Sequence, residues 1–348
     1  MKAKKIRLVI GALFFLGLTA SLFSLSPAAW AAEKCKDTTY VTITDGVASA
    51  STMVVAAKWA ELMSKEIPCV SANATIGSFI SNALTVDQKR HTIGMSDPNS
   101  LYVTSRGTIE KFKGKETKNI RFMNAMHHGS FHIFVPKNSP IKSLREAITK
   151  LPLKNLMVIS KLAMHYTMIS KIFEAYGTSF EDLIKRGGSL AYVEYAQAID
   201  LMKDGQCDLL MIHTPAPSSV ILDIDSSQGI RFLDMEPDIM KKVIHLIPGM
   251  VEVTIPKGVY RSLPRDYHTV GVYFHNFTHK DVSPDLIYQA TKVFWKHEKD
   301  FQALGAWGPQ IKLKDAFRGM DIPIHPGAAR YYKEIGMKIP EPDPKWPW

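Results

Sequence analysis

The sequence predicts an α/β protein whose two lobes enclose a ligand cleft. Three observations lead there. Strand-like runs of β-branched residues alternate with segments of helical apolar spacing. The strand-like runs end in short loops of small and polar residues, the place where open α/β sheets hold ligands. The chain has 348 residues, 46% hydrophobic and 22% charged, a globular composition long enough for two domains.

Residues 1–31 read as a cleaved secretory signal peptide. Lys2, Lys4, Lys5 and Arg7 precede an apolar run over 8–25, and Ala29 and Ala31 give a small-x-small cleavage pattern. That run is near the length that spans a bilayer, and its alanine-rich end favours cleavage over anchoring. Without it the formal net charge falls from +10 to +6, with 39 basic and 33 acidic residues. The remaining basic residues are spread along the chain, a solvated surface rather than a nucleic-acid site.

Residues 40–44 read as the first strand and 52–65 as the first helix. The turn between them leaves helix N–H groups without partners, ready for an acceptor-rich ligand. Gly46, Ser49, Ser51 and Thr52 are the candidate contacts there, with helix capping as the alternative role. A strand at 70–74 leads through Gly77 and Ser78 into a helix over 78–86. A strand at 92–95 runs to Asp97. Strands at 120–126 and 131–135 flank His127 and His128. Adjacent strand residues point to opposite faces, so one of these two rings is expected to face the ligand.

A strand at 156–160 leads to His165, Tyr166 and Thr167 at the start of a helix stopped by Gly177. Strands at 190–194 and 208–213 bring Glu194, His213 and Thr214 to the same end. Residues 251–255 and 269–274 read as strands returning to the first lobe, and 284–301 as one long amphipathic helix. The alternation implies two parallel sheets with helices on both faces. The chain would cross over near Phe131 and return near Val251. One lobe is then 32–130 with 251–348, and the other is 131–250.

Cys35 and Cys69 each precede one of two neighbouring parallel strands, whose starts lie side by side. Export implies an oxidising compartment, so these two are expected to form a disulfide. Cys207 reads as a small buried hydrophobe. There is no Cys-x-x-Cys pair, no His-Glu-x-x-His and no Gly-x-Ser-x-Gly. The expectation is therefore no metal, no cofactor and no enzymatic activity. A secreted histidine-dependent hydrolase is the less favoured alternative.

The stretch Pro323-Ile324-His325-Pro326-Gly327-Ala328-Ala329-Arg330-Tyr331-Tyr332-Lys333-Glu334 resembles the end of the TAXI family, the extracytoplasmic receptors of TRAP transporters. Further matches follow in order: Pro136-Lys137-Asn138-Ser139-Pro140, Lys203-Asp204-Gly205, and Thr254-Ile255-Pro256-Lys257-Gly258. The resemblance covers nearly the whole chain after residue 31. It implies a two-lobed periplasmic binding protein fold of type II and a periplasmic location. It also implies a monomer that closes on a small organic anion, a carboxylate or dicarboxylate, and delivers it to a TRAP permease. Ser51 and Thr52 stand where that family has a Tyr-Tyr pair, and residues 160–167 replace its Pro-Gly-Ser-Gly-Thr cradle. Those changes point to a ligand that is bulkier or less dependent on one carboxylate. A sensor that presents its closed form to a membrane kinase would use the same capture step.

Overall fold

A computed structural model describes residue 35 and residues 37–46, 48, 50–108, 113–159 and 164–342. The expected signal peptide, Ser49 and the loop 160–163 lie outside the described residues. Residues Asp37–Trp348 form one compact unit, and of the unit Met1–Lys36 only Cys35 is described. Cys35 and Cys69 are both disulfide-bonded, as expected, and Cys207 is a buried free thiol.

The chain begins with strand–helix units. Strand β1 (Thr39–Thr44) is followed by α1 (Ser51–Glu66), β2 (Val70–Thr75) by α2 (Phe79–Asp87), and β3 (Ile93–Ser96) by α3 (Pro98–Arg106). The three strands are parallel in the order β2-β1-β3, with Ile43 opposite both Ala74 and Ile93. Val41 and Ile43 alternate inward from β1, as period-2 patterning requires. Val55, Ala56, Trp59, Ala60 and Met63 form the buried stripe of α1, and Trp59 donates its indole N–H to the Ala290 carbonyl at 3.0 Å.

Next come β4 (Ile120–Pro136), α4 (Leu144–Lys150), β5 (Leu156–Val158), α5 (Met164–Ala175), α6 (Phe180–Lys185), β6 (Leu190–Tyr192) and α7 (Tyr195–Lys203). The second half adds β7 (Leu210–Thr214), α8 (Ser219–Ser227), β8 (Ile230–Phe232), α9 (Pro237–Leu246), β9 (Met250–Ile255) and β10 (Tyr267–His279). Helices α10 (Pro284–Lys296), α11 (Glu298–Gln302) and α12 (Pro326–Glu334) complete it.

The α/β class is as the sequence predicts, but the sheets are not two parallel ones. Among the described residues there is one mixed eight-stranded sheet and a two-stranded parallel pair, β5-β6. Strands β4 and β10 run antiparallel to each other, and β4 also pairs antiparallel with β7 and β8. Residues 127–130, read as a break between two strands, lie within β4, with a register shift in its ladder to β10 between Tyr273 and His275. His128, Gly129 and Ser130 pair with Tyr273, Val272 and Gly271. The polar, glycine-bearing composition hides this, because both faces of the strand are covered and alternation is lost. The helix expected over 284–301 is broken at His297, whose ring bonds Glu66 at 2.6 Å and Asp300 at 2.5 Å.

The buried apolar residues fall into groups spread along this one sheet. Trp59, Met123, Phe294 and Tyr332 sit in one group and Phe122, Leu101 and Phe277 in its neighbour. Phe131, Ile133, Phe173 and Val243 form another, beside Phe134, Ile199, Ile212 and Tyr260. β4 and β10 each feed both sets from opposite ends. No helix among the described residues is long and apolar enough to cross a membrane.

Candidate functional site

The turn after β1 is organised by two polar side chains. Asp45 is 1% exposed. Its Oδ1 accepts from Thr52 Oγ1 at 2.7 Å and from the Gly46 N–H, and its Oδ2 is buried without a partner. Asn82, on the first turn of α2, uses all its hydrogen-bonding capacity. Its Nδ2 donates to the Asp45 carbonyl at 2.9 Å and the Met95 carbonyl at 2.8 Å. Its Oδ1 accepts from Thr44 Oγ1 at 2.9 Å and the Ser78 N–H at 3.1 Å. One amide thus ties the ends of β1 and β3 to the start of α2. Gly77 is required beside it, since a Cβ there would overlap Asn82 Oδ1 and sit 2.8 Å from the Asp45 carbonyl oxygen.

A cavity of about 250 Å³ opens beyond these strand ends. Phe79, Asp97 and Phe274 line it from the side of the first core group. Ile159, His165, Met168, Tyr195, His213 and Val272 line it from the other. Asp97 is the N-cap of α3. Its Oδ1 accepts from the Ser100 N–H at 2.9 Å and its Oδ2 from Ser100 Oγ at 2.7 Å. Burial pushes its carboxyl up to about 6 against those hydrogen bonds, and Asp45 rises to about 6 for the same reason.

The imidazoles shift the other way. Burial lowers His165 to about 4 and His213 to about 3, so both are neutral near pH 7. His165 Nε2 lies 2.8 Å from the Met211 carbonyl, which fixes Nε2 as the protonated nitrogen and leaves Nδ1 an unpartnered acceptor. The edge of the His213 ring packs against Gly129, and its Nε2 is buried without a partner. Tyr195 donates its hydroxyl to the His213 carbonyl at 2.7 Å.

His127 and His128 are both buried on β4, facing opposite ways. His127 stacks on Trp307 at 4.4 Å between ring centres, and its Nε2 lies 2.8 Å from Ser51 Oγ. His128 Nδ1 lies 2.9 Å from Ser130 Oγ. Burial lowers them to about 3 and about 4.

Of the residues singled out from sequence, Asp97, His165 and His213 meet in the cavity. Gly46, Thr52 and Gly77 belong to the Asp45–Asn82 cluster, and Ser51 to the His127 pair. The Ser78 hydroxyl accepts from the Ser81 N–H as the cap of α2. Glu194 is the exposed N-cap residue of α7, Thr167 is exposed, and Tyr166 packs on Phe180 at 5.0 Å. Thr214 pairs with Ser130 in the sheet. Asp45 and Tyr195 stand at strand ends that the sequence marks, but neither is among the candidate contacts named from it. It had no signal at all for Trp307 or Gln310. The Gln310 amide accepts from the His128 N–H at 3.2 Å and donates to the Ala216 carbonyl at 2.9 Å, joining elements far apart in sequence. Among the described residues no three His, Cys, Asp or Glu side chains cluster as a metal site.

With this geometry in hand, the chain can be compared with known proteins. It belongs to the NMT1-like family, whose sequence profile matches residues 46–336. Its backbone is similar to the periplasmic aliphatic sulphonate binding protein SsuA from Escherichia coli, with 14% identity, a TM-score of 0.45, and coverage of 84% of this chain and 78% of that one. It is also similar to a TctC solute binding protein from Polaromonas, with 11% identity, a TM-score of 0.49, and coverage of 74% and 83%.

Proposed function

We propose that this protein is an extracytoplasmic solute-binding receptor that captures a small organic solute between its lobes and hands it to a TRAP-type membrane permease. The observation that carries the reading is the cavity at the strand ends, walled by both core groups and holding buried polar atoms that lack partners. A ligand touching both walls favours the closed arrangement over an open one by its extra contacts. The lobes of the proposal are residues 32–130 with 251–348, and residues 131–250. The permease, the periplasmic location and a monomeric state rest on the resemblance of the C-terminal stretch to TAXI receptors.

That resemblance also makes an organic anion the first ligand class to test. No Lys or Arg lines the cavity among the described residues, so an acid would meet neutral partners there. Burial of an uncompensated second charge is costly, which disfavours a dicarboxylate against an acid with one charge and an apolar body.

Ser51 and His127 form a serine–histidine pair, the one observation that favours a hydrolase. The His127 Nδ1 has no carboxylate to orient it, and burial takes its basicity down to about 3. A general base needs a pKa near the working pH, so the pair is read as structural.

Calorimetry and thermal shift with carboxylates, amines and neutral solutes test the receptor reading, alongside mass spectrometry of what copurifies. A ligand at one hundred times its Kd raises stability by about 2.7 kcal/mol. Silence across the whole panel, with nothing copurifying, would end the proposal.

A further inference from the structure

Among the described residues, the cavity's side-chain polar atoms that lack partners are nitrogens of neutral imidazoles, set beside a buried carboxylate. Asp97 offers carboxylate oxygens, His165 offers Nδ1 as an acceptor because Nε2 is committed to Met211, and His213 brings a ring whose Nε2 is buried without a partner. Tyr195, the neighbouring hydroxyl, spends its proton on the His213 carbonyl. Asp97 takes hydrogen bonds from its own turn and forms no ion pair among the described residues. A buried carboxylate without a counter-charge among the described residues, beside the His165 acceptor without a donor, is an uncompensated arrangement. A donor brought in by the ligand answers the Asp97 carboxylate and the His165 Nδ1 together, whereas a carboxylate adds another acceptor.

We infer that the solute carries a donating nitrogen, an ammonium or N–H group on a compact apolar body, which seats against Asp97 between His165 and His213. The apolar body lies on Phe79, Met168 and Phe274. The inference rests on the receptor reading above and differs from it in naming the ligand's chemistry.

The test uses pairs of compounds of the same shape: benzylamine against benzoate, and cyclohexylamine against cyclohexanecarboxylate. Calorimetry and thermal shift on the wild-type protein are expected to show binding of at least one amine and at least tenfold weaker binding of its acid partner. In Asp97→Asn the helix cap is kept, since Asn caps as well as Asp, and amine affinity is expected to fall at least tenfold. Asp45→Asn, in a carboxyl that does not line the cavity, is expected to leave amine affinity within a factor of three. Acids that bind while their amines do not overturn the inference and leave the receptor reading standing. Amines that bind Asp97→Asn as tightly as the wild type overturn it too. Failure of every amine and every acid overturns both.

Discussion

Asn82 shows how much one buried side chain can organise. Four hydrogen bonds from a single amide hold Thr44, Asp45, Ser78 and Met95 in place, so three chain segments share one fastener. Removing it strands two carbonyls, a hydroxyl and an N–H in the interior. Asn82→Ala is expected to lose about 1–3 kcal/mol for each group left unpaired, less what water recovers, and chemical denaturation measures it. A midpoint within experimental error of the wild type would show that the clamp is dispensable. The same local logic separates Asp45 from Asp97. Asp45 spends Oδ1 on Thr52 and the Gly46 N–H, whereas Asp97 spends its oxygens on capping α3 and also borders the cavity.

Among elements, β4 and β10 matter most. Each is long enough to serve both core groups, and their mutual pairing carries the polar residues His128 and Ser130 through the middle of the sheet. Gly129 lies where β4 passes the His213 ring, and a Cβ there would overlap that ring. Gly129→Ala is expected to push the imidazole from its position and to cost about 1–3 kcal/mol in overpacking. Thermal unfolding reads the cost, and an unchanged Tm would show that His213 moves aside freely. Gln310 does a related task from outside the sheet by spanning His128 and Ala216.

For the whole molecule, the buried histidines set the response to acid. Burial lowers His127, His128, His132, His165, His213 and His275 to about 3 or 4 from an ordinary 6.5. A group with a depressed folded pKa contributes stability that is present above 6.5 and lost as pH falls toward the folded value. Each such histidine removes up to about 1.4 kcal/mol per pH unit. Asp45 and Asp97, raised to about 6, have the opposite sign and contribute stability only as pH falls below 6. Six groups outweigh two. Tm is expected to drop steadily between pH 7 and pH 5, and a Tm that rises over that interval would contradict the burial of these rings.

The local sequence alone determined the β1–α1, β2–α2 and α7–β7 units, the Ser78 cap of α2 and the disulfide partners. Each of these depends on residues a few positions apart, or on two strands that follow one another. It also marked the strand ends, and three of its candidates, Asp97, His165 and His213, meet in the cavity. The cap expected from Ser51 or Thr52 is absent, since Ala50 holds that position without a side-chain bond. Tertiary structure decided the rest. The mixed sheet, the run of β4 through His127–Ser130, and the approach of Trp307 and Gln310 depend on partners distant in the chain, such as Tyr273 for His128 and His127 for Trp307. No window of sequence records such pairings, because a strand covered on both faces loses its alternation and a side chain's partner depends on the packing of the whole chain.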